Sequence, residues 1–473
     1  MKTYLELSVE ESVGSAHKFY EVIVEDTLLK IRYGRIGTDG TTSSKIFPTE
    51  ELALKEAEKK IKSKKKKGYE EAVQGQRKKR TITRRSITST SSTSKNAPVL
   101  WKFQSGSSAF GIYIDKENCW IGNEKGRVFK LTHDGQVEAQ FQLPNGVKCI
   151  IADGDWIYVG CDDGNVYDLT GKLPRLAYEI NDNIDIYWMD VNNGLLGVSD
   201  KKGNITVINA EDEEQWTQKS GGISGWMVRV DKAGRVYHGH SNGVTCYYGW
   251  DGSILWNEKT TGDVLFGWKS GEMLTVGTLQ RALNVFDIEG KRILNMKADR
   301  PVFSCASAAD NSYYFAGDNQ SSIYCFSKEG ERLWKLGSTC GSAYSMQYHE
   351  DKVFIVTTDG SLACIDASAT VIEKAQAGET PEVQSIKAPK SVAVIQTDVL
   401  ETTNDLSKGI ELVCIKTNGK LRIRVNSPGY HKDWNVQFPK NLRILGQHYL
   451  VDSVQEAEHG NFYRSLGNIY KIG

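Results

Sequence analysis

No stretch of this 473-residue chain is apolar for long enough to span a bilayer. The start, Met1-Lys2-Thr3-Tyr4-Leu5-Glu6, reaches a carboxylate before a signal-peptide core could form. No Cys-x-x-Cys pair occurs. The nine cysteines are odd in number and scattered, mostly in strand-like runs such as Val147-Lys148-Cys149-Ile150-Ile151. They read as small buried hydrophobes in a reducing compartment, not as a disulfide framework. A cytoplasmic protein is expected, nucleoid-associated in a bacterium or nuclear in a eukaryote. Chemistry-bearing patterns are also missing: no Walker loop, no nucleophile elbow, no Cys/His pairing. His238-Gly239-His240 is the one close histidine pair, and no cysteine or carboxylate lies within two residues to complete a metal set. Asp-Gly pairs such as Asp162-Asp163-Gly164 are too short for a calcium loop and read as tight turns. No catalytic residue, metal or cofactor is therefore expected.

Neither sign of charge is in overall excess, with 59 Lys+Arg against 59 Asp+Glu, but the placement is uneven. Residues 1–97 hold 21 Lys+Arg and 13 Asp+Glu, about +8, leaving 38 and 46, about −8, for the rest. A basic arm on an acidic body is a footprint of nucleic-acid contact confined to one end. Within the arm, Phe19-Tyr20-Glu21-Val22-Ile23-Val24 alternates like a strand. It is followed by Tyr33-Gly34-Arg35-Ile36-Gly37-Thr38-Asp39-Gly40. Two glycines flank an arginine at a strand end and a third follows, a spacing that suits a turn where the backbone comes close to something else. An aromatic beside an arginine offers a stacking face and a phosphate fork. Residues 49–67 read as a helix with Thr49 as N-cap after Pro48 and an apolar stripe of Leu52, Ala53, Ala57 and Ile61. Lysines at 55, 59, 60, 62 and 64 to 67 fill its other face, for solvation or for phosphate contact.

The segment from about Tyr20 to Tyr69 resembles the WGR domain, named for its Trp-Gly-Arg core. That domain accompanies DNA-dependent poly(ADP-ribose) polymerases and occurs in bacterial proteins similar to the MolR regulators. The match rests on Lys18-Phe19-Tyr20, on Gly34-Arg35-Ile36-Gly37 with Gly40, on Phe47 before the helix, and on the lysine-rich run that ends in Gly68-Tyr69. Tyr33 stands where the family has its tryptophan. In the family, tryptophan and arginine contact a DNA end, with the aromatic packed on a sugar. The resemblance thus implies DNA binding, and the candidate contacts are Tyr33, Gly34, Arg35 and Gly37 with Lys64, Lys65, Lys66 and Lys67. Tyrosine offers a smaller stacking face, which leaves preference for DNA ends open.

From Gln74 to about Asn96 the composition shifts. Arg77-Lys78-Lys79-Arg80 and Arg84-Arg85 precede Ser/Thr repeats through Ser94. No core can come from this segment, so a flexible linker is expected. Its clusters serve as a tether, as an import signal in a eukaryote, or as loose phosphate contacts through Arg77, Lys78, Lys79 and Arg80.

The next 280 or so residues carry internal repeats. In each, a strand ends in a small residue, and a turn, a second strand, an Asp/Glu-Gly pair and a third strand follow. Trp120-Ile121-Gly122 with Gly126-Arg127-Val128-Phe129 is one example, and Tyr314-Phe315-Ala316-Gly317 with Ile323-Tyr324-Cys325-Phe326 is another. The corresponding positions are 122, 160, 198, 239, 277, 317 and 357, the third and last in degenerate units. Seven units of four strands predict a seven-bladed β-propeller. The blades lack Gly-His…Trp-Asp marks. Asp251-Gly252-Ser253-Ile254-Leu255-Trp256 and Glu329-Gly330-Glu331-Arg332-Leu333-Trp334 look quinoprotein-like, with Trp101, Trp256 and Trp334 between blades. Val99-Leu100-Trp101-Lys102-Phe103 resembles an outer strand without its blade and could close the ring beside the last unit.

The expected architecture is multidomain and mainly β. A small α+β WGR-like domain spans 1–73, a basic linker 74–97, the propeller 98–388 and a small β-rich α+β module 389–473. The last contains Tyr430-His431-Lys432-Asp433-Trp434 and Phe462-Tyr463-Arg464, suited to a core of its own or to a nucleic acid or peptide. The expected function is a nucleic-acid-binding adaptor. DNA meets residues 1–97, and an unknown protein partner meets the propeller. A pure protein scaffold, a MolR-like regulator without direct DNA binding, and an enzyme working in the propeller channel are the alternatives.

Overall fold

A computed structural model describes residues 1–10, 15–36, 38, 40–72, 83–85, 87, 95–170, 174–182, 184–387, 394–395, 401–403, 405, 409–458 and 460–472. The chain begins with an antiparallel sheet of β1 (Lys2–Glu10), β2 (Ser15–Glu25), β3 (Leu28–Arg35), β4 (Thr41–Ile46) and β5 (Glu70–Glu71). The strand order is β4-β3-β2-β1-β5. A two-residue reversal at Asp26-Thr27, with Asp26 at φ 52°, fixes the register of β2 on β3. Leu5, Tyr20, Val22, Leu29 and Ile31 form one cluster with Ala53, Ala57 and Ile61 of α1 (Glu50–Lys65). Thr49 caps α1, its hydroxyl accepting the Leu52 N–H at 3.3 Å. Leu52 departs from the expected stripe and is 46% exposed. The i, i+4 spacing of 53, 57 and 61 makes a narrow buried face that turns Leu52 outward.

Seven four-stranded antiparallel blades follow. Six are built from consecutive strands between Ala109 and Gly337. The seventh uses Ala343–His349, Lys352–Thr357 and Ser361–Asp366, and takes β6 (Val99–Gln104) as its outer strand. The ring is therefore closed by a strand that precedes the first blade, as Val99-Leu100-Trp101 implied. The chain then forms α2 (Ala369–Ala377) and adds Gln384–Lys387 beside β6 and Val394–Ile395 beside the first blade, both parallel.

The repeated small residues have a steric cause. A Cβ on Gly122, Gly239 or Gly277 would strike Val147, Val264 or Val302, each at the start of the next blade's inner strand. In the degenerate units the pairing shifts the equivalent position by one residue, to Ser199 opposite Trp188 and Val356 opposite Ser345. Four residues on from each equivalent position lies a residue of positive φ, including Gly126, Gly203, Ser321 and Gly360. That shared turn fixes the correct alignment of the repeats.

The outer-strand tryptophans bridge blades. Trp101 donates its indole N–H to the His133 carbonyl at 3.0 Å and Trp256 to that of Ile288 at 2.9 Å. Trp216 does the same to Gly249 at 2.7 Å. Trp256 is only half-buried, whereas Trp216 is buried. Trp334 has no such turn ahead of it, because the last blade receives β6 there. It clusters instead with Ala97, Ile372 and Ala375.

The C-terminal sheet combines Glu401–Thr403, Phe462–Ile472, His448–Glu456, Ile410–Thr417 and Lys420–Val425, with Asn435–Gln437 beside Phe462–Arg464. It has its own core around Leu412, Cys414, Ile423, Val436, Phe438 and Tyr449. It is also fastened to the second and third blades. Arg464, 3% exposed, pairs with buried Asp153, and Arg422 reaches Glu211 at 2.6 Å and Glu213 at 2.7 Å. Tyr158 donates to Gln437 at 2.9 Å. Several of its basic residues are thus committed to the propeller.

Candidate nucleic-acid interface

Tyr33, Gly34 and Arg35 end β3. Alternation sends Tyr33 and Arg35 to the α1 side of the sheet and Gly34 to the other. Tyr33 and Arg35 are exposed, Tyr33 to 43%. Tyr20 lies opposite Tyr33 in the ladder, with ring centroids 6.1 Å apart, and Tyr69 meets Tyr20 edge-on at 6.2 Å. The Lys64 ammonium sits over both rings, 4.4 Å from Tyr20 and 5.0 Å from Tyr69. A continuous aromatic path therefore joins the end of β3 to the last turn of α1.

Tyr69 reaches this position because Gly68 takes φ 87° after the helix and lets the chain reverse. The Tyr69 N–H then donates to the Lys64 carbonyl at 3.2 Å. Burial, and then repulsion by Lys67 and Lys60, hold the Lys64 ammonium below the usual lysine range. An anion beside it would relieve that repulsion. Lys65 is paired with Glu71 at 2.6 Å, while Lys66 and Lys67 are exposed. All four lysines lie at the negative end of the α1 dipole, which favours cations even without a ligand.

Gly34 has a packing reason to be glycine. A Cβ there would lie 2.6 Å from the Gly40 Cα, and one on Gly40, at φ 70°, would lie 2.7 Å from the Phe19 ring. Thr38 closes the turn by donating its N–H at 3.2 Å and its hydroxyl at 2.8 Å to the Arg35 carbonyl. The close approach expected of these glycines is thus met within the turn itself. Gly37, Arg77, Lys78, Lys79 and Arg80 lie outside the described residues.

Two residues of this patch escaped the reading of the sequence as site residues. Lys18 pairs with Arg35 across the ladder, and Tyr20 pairs with Tyr33. The reversal at Asp26-Thr27 sets both pairings and was the available signal.

The second basic pair of the linker lies elsewhere. Thr83, Arg84 and Arg85 enter one mouth of the propeller channel. Arg84 donates to Asp162 at 2.8 Å, and Arg85, 6% exposed, donates to the carbonyls of Leu265, Phe303 and Tyr344. The expectation of a flexible linker fails at these three residues, because the channel supplies the acceptors the segment itself lacks. Elsewhere the channel holds a cavity of about 580 Å³ lined by Tyr113, Asp190, Arg229 and Gln347 among others. Burial there lifts the Asp190 carboxyl to about 6, opposed by Arg229. His238 and His240 are buried, and among the described residues no group of three or more His, Cys, Asp and Glu side chains could hold a metal.

A family model for the WGR domain matches residues 1–76. Residues 1–76 are a WGR domain. No curated protein matches the chain. Among solved structures, the WD40 β-propeller domain of Doa1 aligns with a TM-score of 0.50 at 10% identity, covering 59% of this chain and 99% of that one. A computationally designed protein, Ika8, aligns at 0.46 and 12% identity, covering 57% and 99%. The Doa1 likeness shows a WD40-type propeller fold. A WGR domain, from a nucleic-acid-binding family, joined to a propeller gives this chain the make-up of a binding or adaptor protein.

Proposed function

We propose that the WGR domain binds DNA at the end of β3, and that the propeller is a docking ring for a protein partner and not an active site. The observation that carries the reading is the meeting of Tyr33, Arg35, Lys18 and Lys64 on one side of one sheet end. Tyr33 stacks on a sugar or base, Arg35 forks a phosphate, and Lys64 with Lys66 and Lys67 extends the contact along the backbone. Gly34 and Gly40 pack against each other in the turn that presents Arg35.

The test is binding of the full chain to blunt, nicked and single-stranded DNA by fluorescence anisotropy. Arg35→Ala should weaken binding by about 1 to 3 kcal/mol, as loss of a charge-assisted contact does. Tyr33→Trp should retain or strengthen it. A folded Arg35→Ala protein that binds like the parent removes the site assignment. Absence of DNA binding by the parent chain would favour the protein-scaffold alternative.

A further inference from the structure

Arg85 is a buried cation held without a carboxylate among the described residues. Its guanidinium donates to the Leu265 carbonyl at 2.7 Å and to those of Phe303 and Tyr344 at 3.1 Å each. The rings of Trp188 and Trp226 lie 5.6 Å away, and those of Phe266 and Phe303 5.9 Å. Burial lowers its guanidinium to about 10. The neighbours hold an acidic rim: Thr83 donates to Asp185 at 2.7 Å, and Arg84 packs over Phe110 while pairing with Asp162.

The three acceptors come from the fold. In the inner strands of blades five, six and seven the pairing skips one residue, and the skipped residues are Leu265, Phe303 and Tyr344. A bulge leaves its extra residue out of the ladder and re-aims it. Each of these carbonyls faces the channel and needs a donor from whatever fills it. A ring of backbone acceptors under four aromatic faces recognises a guanidinium by geometry, independently of which chain supplies it.

We propose that this mouth of the propeller is a binding site for arginine-bearing peptides, and that Thr83-Arg84-Arg85 occupies it in cis until a partner's arginine segment replaces it. The partner is a protein with an exposed basic peptide carrying an Arg-Arg pair. The tethered segment competes at an effective concentration set by its linker, of order millimolar for a short flexible tether. The wild-type chain should therefore bind such a peptide on the order of tenfold or more weakly than a chain lacking the two arginines.

The test uses a fluorescent peptide with the sequence of residues 80–88 and the full-length protein. The Arg84→Ala/Arg85→Ala variant should bind the peptide at least tenfold more tightly than wild type. A peptide with lysine in place of the arginine at position 85 should bind it at least tenfold more weakly, because an ammonium cannot span the three carbonyls. Adding Trp226→Ala to the double variant should abolish tight binding. Equal binding to wild type and variant, or no binding to a variant with an unchanged thermal melt, overturns the proposal. If the double variant does not fold, Arg85→Gln takes its place. If that also fails to fold, the segment is a fixed strut of the ring and exchange is excluded.

Discussion

The four lysines that end α1 should not contribute equally to DNA binding, and the difference can be read from salt dependence. Each phosphate neutralised on B-DNA contributes about 0.9 to the slope of log affinity against log salt. Lys18, Arg35, Lys64, Lys66 and Lys67 together give a slope of about −4.5, or about a 500-fold loss between about 50 and about 200 mM salt. Lys65 is left out of that set because its ammonium lies 2.6 Å from Glu71. The pair is exposed and weak, but a phosphate drawn to Lys65 would also meet the Glu71 carboxylate. Lys66→Ala/Lys67→Ala should flatten the slope to about −2.7, leaving about a 40-fold loss over the same range. Lys65→Ala should change it by much less than one. The assay is anisotropy of a labelled duplex titrated with full-length protein at four or more salt concentrations. Equal losses for Lys65→Ala and Lys67→Ala would refute the ranking. An unchanged slope in the double variant would refute phosphate contact at this helix end.

Gly34→Ala should destabilise the WGR domain and lower its melting temperature, because the added Cβ falls 2.6 Å from the Gly40 Cα, backbone that cannot move aside alone. Trp216→Ala should cost about 3–5 kcal/mol in the denaturant midpoint of the propeller, and Trp256→Ala clearly less, since only the first is buried. The reverse order would show that the indole-to-turn bond outweighs burial. Burial, with some repulsion from His240, holds the His238 imidazole down to about 3, and burial holds His240 to about 4. Both stay neutral in the fold, so the unfolded chain takes up protons first and stability falls as pH drops below about 6.5. His238→Gln should shrink the stability difference between pH 7.5 and 5 by about 2 kcal/mol, measured from urea midpoints at the two values.

The repeats were legible because their cause is local and recurrent. Gly122, Gly239 and Gly277 mark where the next inner strand presses on a blade, and the turn four residues later repeats with them. Where the glycine is replaced, as at Ser199 and Val356, only the ladder identifies the equivalent position, hence the one-residue error. Trp256 was legible as an outer-strand tryptophan but not as a half-buried one, because exposure depends on what the neighbouring blade brings. Arg85 was not legible at all. Its acceptors are carbonyls of Leu265, Phe303 and Tyr344, far along the chain and without any side-chain signature. A Ser/Thr-rich basic segment reads as solvated unless the cavity that receives it is known.

This bears on the meaning of the charge asymmetry. Residues 1–72 carry 14 Lys+Arg against 13 Asp+Glu, so nearly all of the +8 in the arm comes from residues 73–97, which hold 7 Lys+Arg and no acid. Three of those seven lie against the propeller: Arg84 and Arg85 through their side chains, and Lys95 through its carbonyl, which accepts the Gly337 N–H at 2.7 Å. The WGR domain is therefore close to neutral, and its field depends on separation within the domain. Glu50 and Glu51 lie in the first turn of α1, while Lys62, Lys64 and Lys65 lie in its last. The separation follows the helix dipole, and the same order that stabilises α1 concentrates positive charge beside Tyr33 and Arg35. Net charge alone would have assigned the contact to the linker. On the proposed reading, placement puts it at the end of β3, with Arg77, Lys78, Lys79 and Arg80 of the linker left to add to it.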